Sequence, residues 1–115
     1  MIEEDRWITA LKALADRSRL RIIRTLLDQA LTVNDISERL GISQYNVSKH
    51  LRILREAGLV EATKMANRRE YAIPSHLRGQ SPGAVLDLGS LVFHFDKLPI
   101  AAPQAVPVPP VVVGV

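Results

Sequence analysis

The sequence predicts a mainly α-helical domain that ends in a small β-hairpin, an α+β fold with an atypical extended segment behind it. Three observations predict it. Apolar residues recur at three- and four-residue spacing in four successive windows before Gly58. Two short runs with a two-residue alternation follow that glycine. Beyond Ile73 no long amphipathic helix can be traced, because Pro74, Gly79, Pro82, Gly83 and Gly89 interrupt the chain. At 115 residues the chain is one domain's worth, with a core small enough that help from a partner subunit is expected.

The first window, "EEDRWITALKALAD", places Trp7, Ile8, Leu11, Leu14 and Ala15 on one face, behind acids that suit a helix N-terminus. Asp16 to Ser18 interrupt it. The second, "RLRIIRTLLDQ", repeats the pattern through Leu20, Ile23, Leu26 and Leu27. Thr32 then opens "VNDISERL" with the Thr-x-x-Asp of a capping box, and Val33, Ile36 and Leu40 share one side. Gly41 suits the left-handed residue past that helix, and Ser43 suits the N-cap of the next. A turn of about three residues therefore joins two helices, which is helix-turn-helix geometry. The second of them runs from Gln44 to about Ala57 and stops at Gly58. "LVEATK" and "REYAI" follow as a hairpin around "MANR", where Asn67 is expected to supply the positive φ of a tight turn.

Within the Gln44 helix the faces separate. Val47, Leu51, Leu54 and Ile53 fall on the buried side, whereas Gln44, Tyr45, Ser48, Lys49, Arg52 and Arg55 fall elsewhere. The charge of the chain follows the same geography. Residues 1–42 hold seven Lys/Arg against seven Asp/Glu, residues 43–78 hold seven against three, and residues 79–115 hold one against two. All the positive excess is in the middle, as in a nucleic-acid footprint; a solvated basic face is the bland alternative.

A helix, a helix, a helix-turn-helix and a hairpin with a basic tip make the order of a winged helix. The stretches "LKALADRSRLRIIRTL", "LTVNDISERLGISQYNVSKHLRILREAGLV" and "NRREYAI" resemble the arsenic-repressor (ArsR/SmtB-type) family of bacterial winged-helix transcription factors over residues 8–73. The resemblance implies a homodimeric repressor that binds a palindromic operator in double-stranded DNA and releases it when an inducer arrives. The effector itself is not legible, because ligand identity does not travel with a fold.

Physical chemistry assigns the roles. Recognition helices put their N-terminal residues at base edges in the major groove, where Gln44 can pair bidentately with adenine and Ser48 can bond either kind of edge. Tyr45 and Asn46 are the next candidates for base or phosphate. Lys49 and Arg52 suit the phosphate backbone, and Ser43 both caps the helix and offers its backbone to a phosphate. His50 borders the buried face, so orienting the helix or touching a phosphate outranks base contact for it. Lys64, Asn67, Arg68 and Arg69 make up the wing's contribution, against the plain reading that hairpin tips carry charge for solubility.

The family pattern also fails in places. Many relatives sense soft metals through a cysteine pair at the start of the third helix; the matching positions are Thr32 and Asn34, and the chain has no cysteine. Other relatives hold zinc on a long C-terminal helix that builds the dimer, and no such helix is expected after Ile73. "GSLVFHFDKL" instead alternates as a strand, with Leu91, Phe93 and Phe95 on one face and Val92, His94 and Asp96 on the other. His94 and Asp96 are weak metal candidates without a third ligand. The apolar face is expected to pair with the partner subunit.

The expected organisation is therefore a winged helix-turn-helix DNA-binding domain over residues 1–78 and a strand-like, proline-rich extension over 79–115, a candidate for dimerisation with a disordered end. The last eighteen residues carry no charge but contain five prolines, which forbids a membrane span. No charged leader precedes an apolar stretch at the N-terminus, so a cytoplasmic location is expected. No cofactor is expected. No Ser/His/Asp grouping, carboxylate pair or glycine-rich phosphate loop stands at usable spacing, which argues against an enzyme. The alternative to a repressor is a winged helix that docks a protein instead of a groove.

Overall fold

The computed structural model describes residues 3–79, 84–89 and 91–97. The expectations for the proline-rich end, residues 98–115, lie outside the described residues. Helix α1 (Glu3–Leu14) is followed after two residues by α2 (Arg17–Asp28), whose N-cap is Asp16. The Asp16 carboxylate accepts the Arg19 N–H at 3.0 Å, so the interruption expected over Asp16 to Ser18 is the start of α2 itself. The inward face of α1 also differs from the expected one. Ala10, Ala13 and Leu14 are buried, Trp7 is half-buried, Ala15 is exposed, and Ile8 and Leu11 are 44% and 39% exposed. Apolar residues cover more than one side of this helix, and small alanines let it approach its neighbours closely.

The helix-turn-helix forms as its caps dictate. Helix α3 (Val33–Leu40) opens with a complete capping box, in which Thr32 Oγ1 accepts the Asp35 N–H at 3.1 Å and the Asp35 carboxylate accepts the Thr32 N–H at 3.2 Å. Gly41 sits in the left-handed region with φ 66°, its N–H bonded to Ser37 O at 2.9 Å. The Ser37 hydroxyl donates to Ile42 O at 2.6 Å and closes the turn. Ser43 then caps α4 (Gln44–Glu56) by accepting the Asn46 N–H at 3.2 Å.

Strands β1 (Glu61–Met65) and β2 (Arg68–Ala72) form the antiparallel wing, with Lys64 opposite Arg69 and Met65 opposite Arg68. The two-residue turn between them holds one correction: its positive φ, 56°, belongs to Ala66 and not to Asn67. The wing is fastened to the body by Leu31, which exchanges both backbone hydrogen bonds with Tyr71 at 3.0 and 2.8 Å.

The described residues after β2 pack on the same body. A short 3-10 turn (Ser75–Leu77) leads to β3 (Val85–Asp87), which pairs antiparallel with β4 (Val92–His94) before a second 3-10 turn (Phe95–Lys97). The strand expected over "GSLVFHFDKL" thus ends at His94, because the chain turns to bring the Phe95 N–H to Ala84 O at 2.7 Å. Its alternation is present: Val92, His94 and Asp96 face solvent while Phe95 is fully buried. Phe95 and Leu86 join Ile22, Ile23, Leu26, Ile36, Leu51 and Leu54 in a single core. The core therefore crosses residue 78, and Phe95, on the face expected to meet a partner subunit, fills this chain's own interior. Two arginines tie the segment to α2: Arg24 donates to Phe95 O, and Arg78 donates to Leu27 O at 2.9 Å and Leu26 O at 3.3 Å at the end of the helix.

Candidate nucleic-acid interface

Helix α4 is held from one side only. Val47, Leu51 and Leu54 are fully buried at helical spacing, and Ile53 is half-buried beside them. Ser43, Gln44, Tyr45, Asn46, Ser48, Lys49 and Arg52 are all exposed on the remaining surface. Tyr45 is 79% exposed and lines a shallow groove with Ser48, Lys49 and Arg52. These residues form one polar and basic face that the rest of the described chain leaves uncovered.

His50 is not part of that face. Its ring is half-buried and turns toward α2, where Nδ1 accepts from Arg19 Nη1 at 3.2 Å and stands 4.0 Å from Asp16 Oδ2. Arg19 Nε meanwhile donates to Ala13 O at 2.6 Å, so one guanidinium links the end of α1, the start of α2 and the middle of α4. Burial pushes the Asp16 carboxyl upward, but the Arg19 N–H, the Arg19 guanidinium and His50 outweigh it and leave Asp16 below the usual carboxylate range.

At the front of the helix, Gln44 is not free. Its Nε2 donates to Asn34 Oδ1 at 2.9 Å, and Asn34 Nδ2 donates to Glu38 Oε1 at 3.3 Å one turn along α3. Asn34 was absent from the residues expected at the interface. Periodicity places it on an exposed helix face but carries no sign of a bond across the turn.

The wing adds a second basic surface. Lys64, Asn67, Arg68 and Arg69 are all exposed. Arg68 is drawn sideways into an ion pair with Glu70 at 2.8 Å. Lys64 and Arg69 lie directly opposite one another across the strands, an arrangement of like charges that costs the hairpin stability unless an anion sits over it.

Metal ligation finds less support. His94 and Asp96 are exposed, and among the described residues no group of three or more His, Cys, Asp or Glu is placed to hold an ion. Thr32 and Asn34 already serve as a helix cap and an interhelix bond. No helix among the described residues is long and apolar enough to cross a membrane.

Two helices joined by a tight turn, the second exposed along a basic face and followed by an antiparallel wing, define a winged helix-turn-helix regulator class. The model of the bacterial regulatory protein arsR family matches residues 16–62. The transcriptional activator HlyU of Vibrio cholerae is 43% identical over 68 residues, covering 59% of this chain and 63% of that protein. The solved structure of HlyU from V. cholerae superposes with a TM-score of 0.59 at 39% identity, over 65% of this chain and 83% of that one. The homodimeric winged helix-turn-helix DNA-binding domain of a Mycobacterium bovis protein superposes with a TM-score of 0.61 at 32% identity, over 63% of this chain and 67% of that one. The chain belongs to the arsR family, a family of regulatory proteins and not of enzymes. It spans less than two thirds of the length of the curated relatives it matches.

Proposed function

We propose that this protein is a homodimeric transcriptional repressor that reads a palindromic operator in double-stranded DNA and is released by an effector. The observation that carries the reading is the division of α4: three apolar residues fully buried, and Gln44, Tyr45, Ser48, Lys49 and Arg52 exposed together, with no side-chain hydrogen bond among the described residues beyond that of Gln44 to Asn34. Gln44 and Ser48 read base edges, with Tyr45 and Asn46 beside them. Lys49, Arg52 and the Ser43 cap hold phosphates, and Lys64, Asn67, Arg68 and Arg69 extend the contact along the backbone. His50 acts from behind, orienting α4 through Arg19.

Dimerisation is supported by Ile8 and Leu11, the two large apolar side chains that α1 leaves exposed, and by the dimeric domain to which the chain is similar. Repression is the simplest consequence of occupying an operator; the relative HlyU is an activator, so the sign of regulation is tested separately by a promoter assay. Selection of bound duplexes from a random pool yields the operator, and Gln44→Ala is then expected to cost about 1 to 3 kcal/mol on that site and nothing on random duplex. Equal loss on both would refute base reading by Gln44. A protein-docking module, the alternative, would select no duplex at all.

A further inference from the structure

Three side chains at the helix-turn-helix form a directed chain whose orientation is set at one end. Glu38 carries a carboxylate, which in its ionised form accepts and never donates. The Asn34 group turned to it must therefore be the amide NH2, as the 3.3 Å Nδ2 to Oε1 bond has it. That leaves Asn34 Oδ1 facing Gln44, and an oxygen there demands the Gln44 NH2, found at 2.9 Å. With one Nε2 hydrogen engaged, Gln44 keeps one donor hydrogen and the whole of Oε1. Adenine presents one acceptor, N7, and one donor, N6–H, to the major groove, whereas guanine presents two acceptors. The held amide matches adenine and not guanine.

We propose that Asn34 is a specificity-determining residue: by fixing the Gln44 amide, the Glu38–Asn34–Gln44 chain commits that position to adenine. It acts without touching DNA. The proposal rests on Gln44 reading a base, and it adds that the selectivity of that reading is imposed from α3. Holding the side chain before DNA arrives also removes rotamer freedom that binding would otherwise have to remove.

The test uses the full chain and the selected operator, with each base substituted in turn at every position of one half-site. Asn34→Ala is expected to lower the adenine-over-guanine preference at a single position by roughly tenfold, since a bidentate pair discriminates by about that much, with random-duplex affinity and salt dependence unchanged. Asn34→Asp retains an acceptor toward Gln44, so it is expected to keep the preference while its added charge weakens all duplexes alike. Glu38→Gln frees the Asn34 amide to turn over and is expected to lower the preference as Asn34→Ala does. Circular dichroism checks that each variant folds, and Gln44→Ala locates the position being read. If Gln44→Ala abolishes a preference that Asn34→Ala leaves intact, the Asn34 proposal is overturned and base reading by Gln44 survives. If Gln44→Ala changes no position, both fall.

Discussion

Ala66 occupies the one non-glycine position with positive φ among the described residues, at 56° in a two-residue hairpin turn. A Cβ there costs about 1 to 2 kcal/mol. Ala66→Gly relieves that strain and forfeits part of the gain to a freer unfolded chain. A net stabilisation of about 0.5 to 1 kcal/mol is expected in urea unfolding. The sequence pointed to Asn67 because asparagine tolerates left-handed backbone well, yet the strand register, with Met65 opposite Arg68, leaves the strained position to its neighbour. Acid provides a second test at this scale. The Asp35 carboxyl is held low by the Thr32 N–H and hydroxyl, and Asp16 is held low despite burial. A depressed folded value means that the stabilisation is complete above the unfolded carboxylate value of about 4 and is lost as pH falls through the lower folded value. The wild type is therefore expected to lose stability as pH falls below about 4, and Asp35→Asn, measured in the same urea titrations, to lose less.

At the scale of elements, the helices and wing were legible because each local signal agreed with its neighbours: Thr32 and Asp35 closed a capping box, Gly41 turned left-handed, and Ser43 capped α4. The contacts that cross between elements were not legible. Nothing in a periodicity separates Ile8 and Leu11, which stay exposed, from Leu14, which is buried, until the neighbours of α1 are known. His50 looked like a border residue of the recognition helix, and only the arrival of Arg19 from α2 shows which way its ring turns. Beyond Ile73 the strand itself was legible but not what it packs against, since an alternating strand with one apolar face gives no address for that face. Phe95 supplies the address: Phe95→Ala is expected to destabilise the whole domain by about 3 to 5 kcal/mol in thermal or urea unfolding. Were Phe95 an interface residue only, the substitution would change the association constant and leave monomer unfolding untouched.

For the molecule as a whole, the fold separates its labours by surface. The core runs from Ala10 to Phe95 and includes residues on both sides of the expected boundary at 78. Ile8 and Leu11 on α1 are exposed, and so is the polar and basic face of α4 with the wing, the two surfaces proposed for a second copy and for DNA. Of the seven basic residues over 43–78, set against three acidic ones, Lys49, Arg52 and Arg55 are exposed on α4 and Lys64 and Arg69 face one another across the wing, whereas Arg68 pairs with Glu70 and Arg78 is bonded to the end of α2. The measurement that tests this most directly is the salt dependence of duplex affinity for the wild type and for Lys49→Ala. Groove binding predicts that log affinity falls steeply and linearly with log salt, and that Lys49→Ala, which removes one phosphate contact from each protomer, flattens the slope by roughly 0.9 per contact. An affinity indifferent to salt, or a Lys49→Ala slope identical to the wild type, would contradict the assignment of this face to DNA.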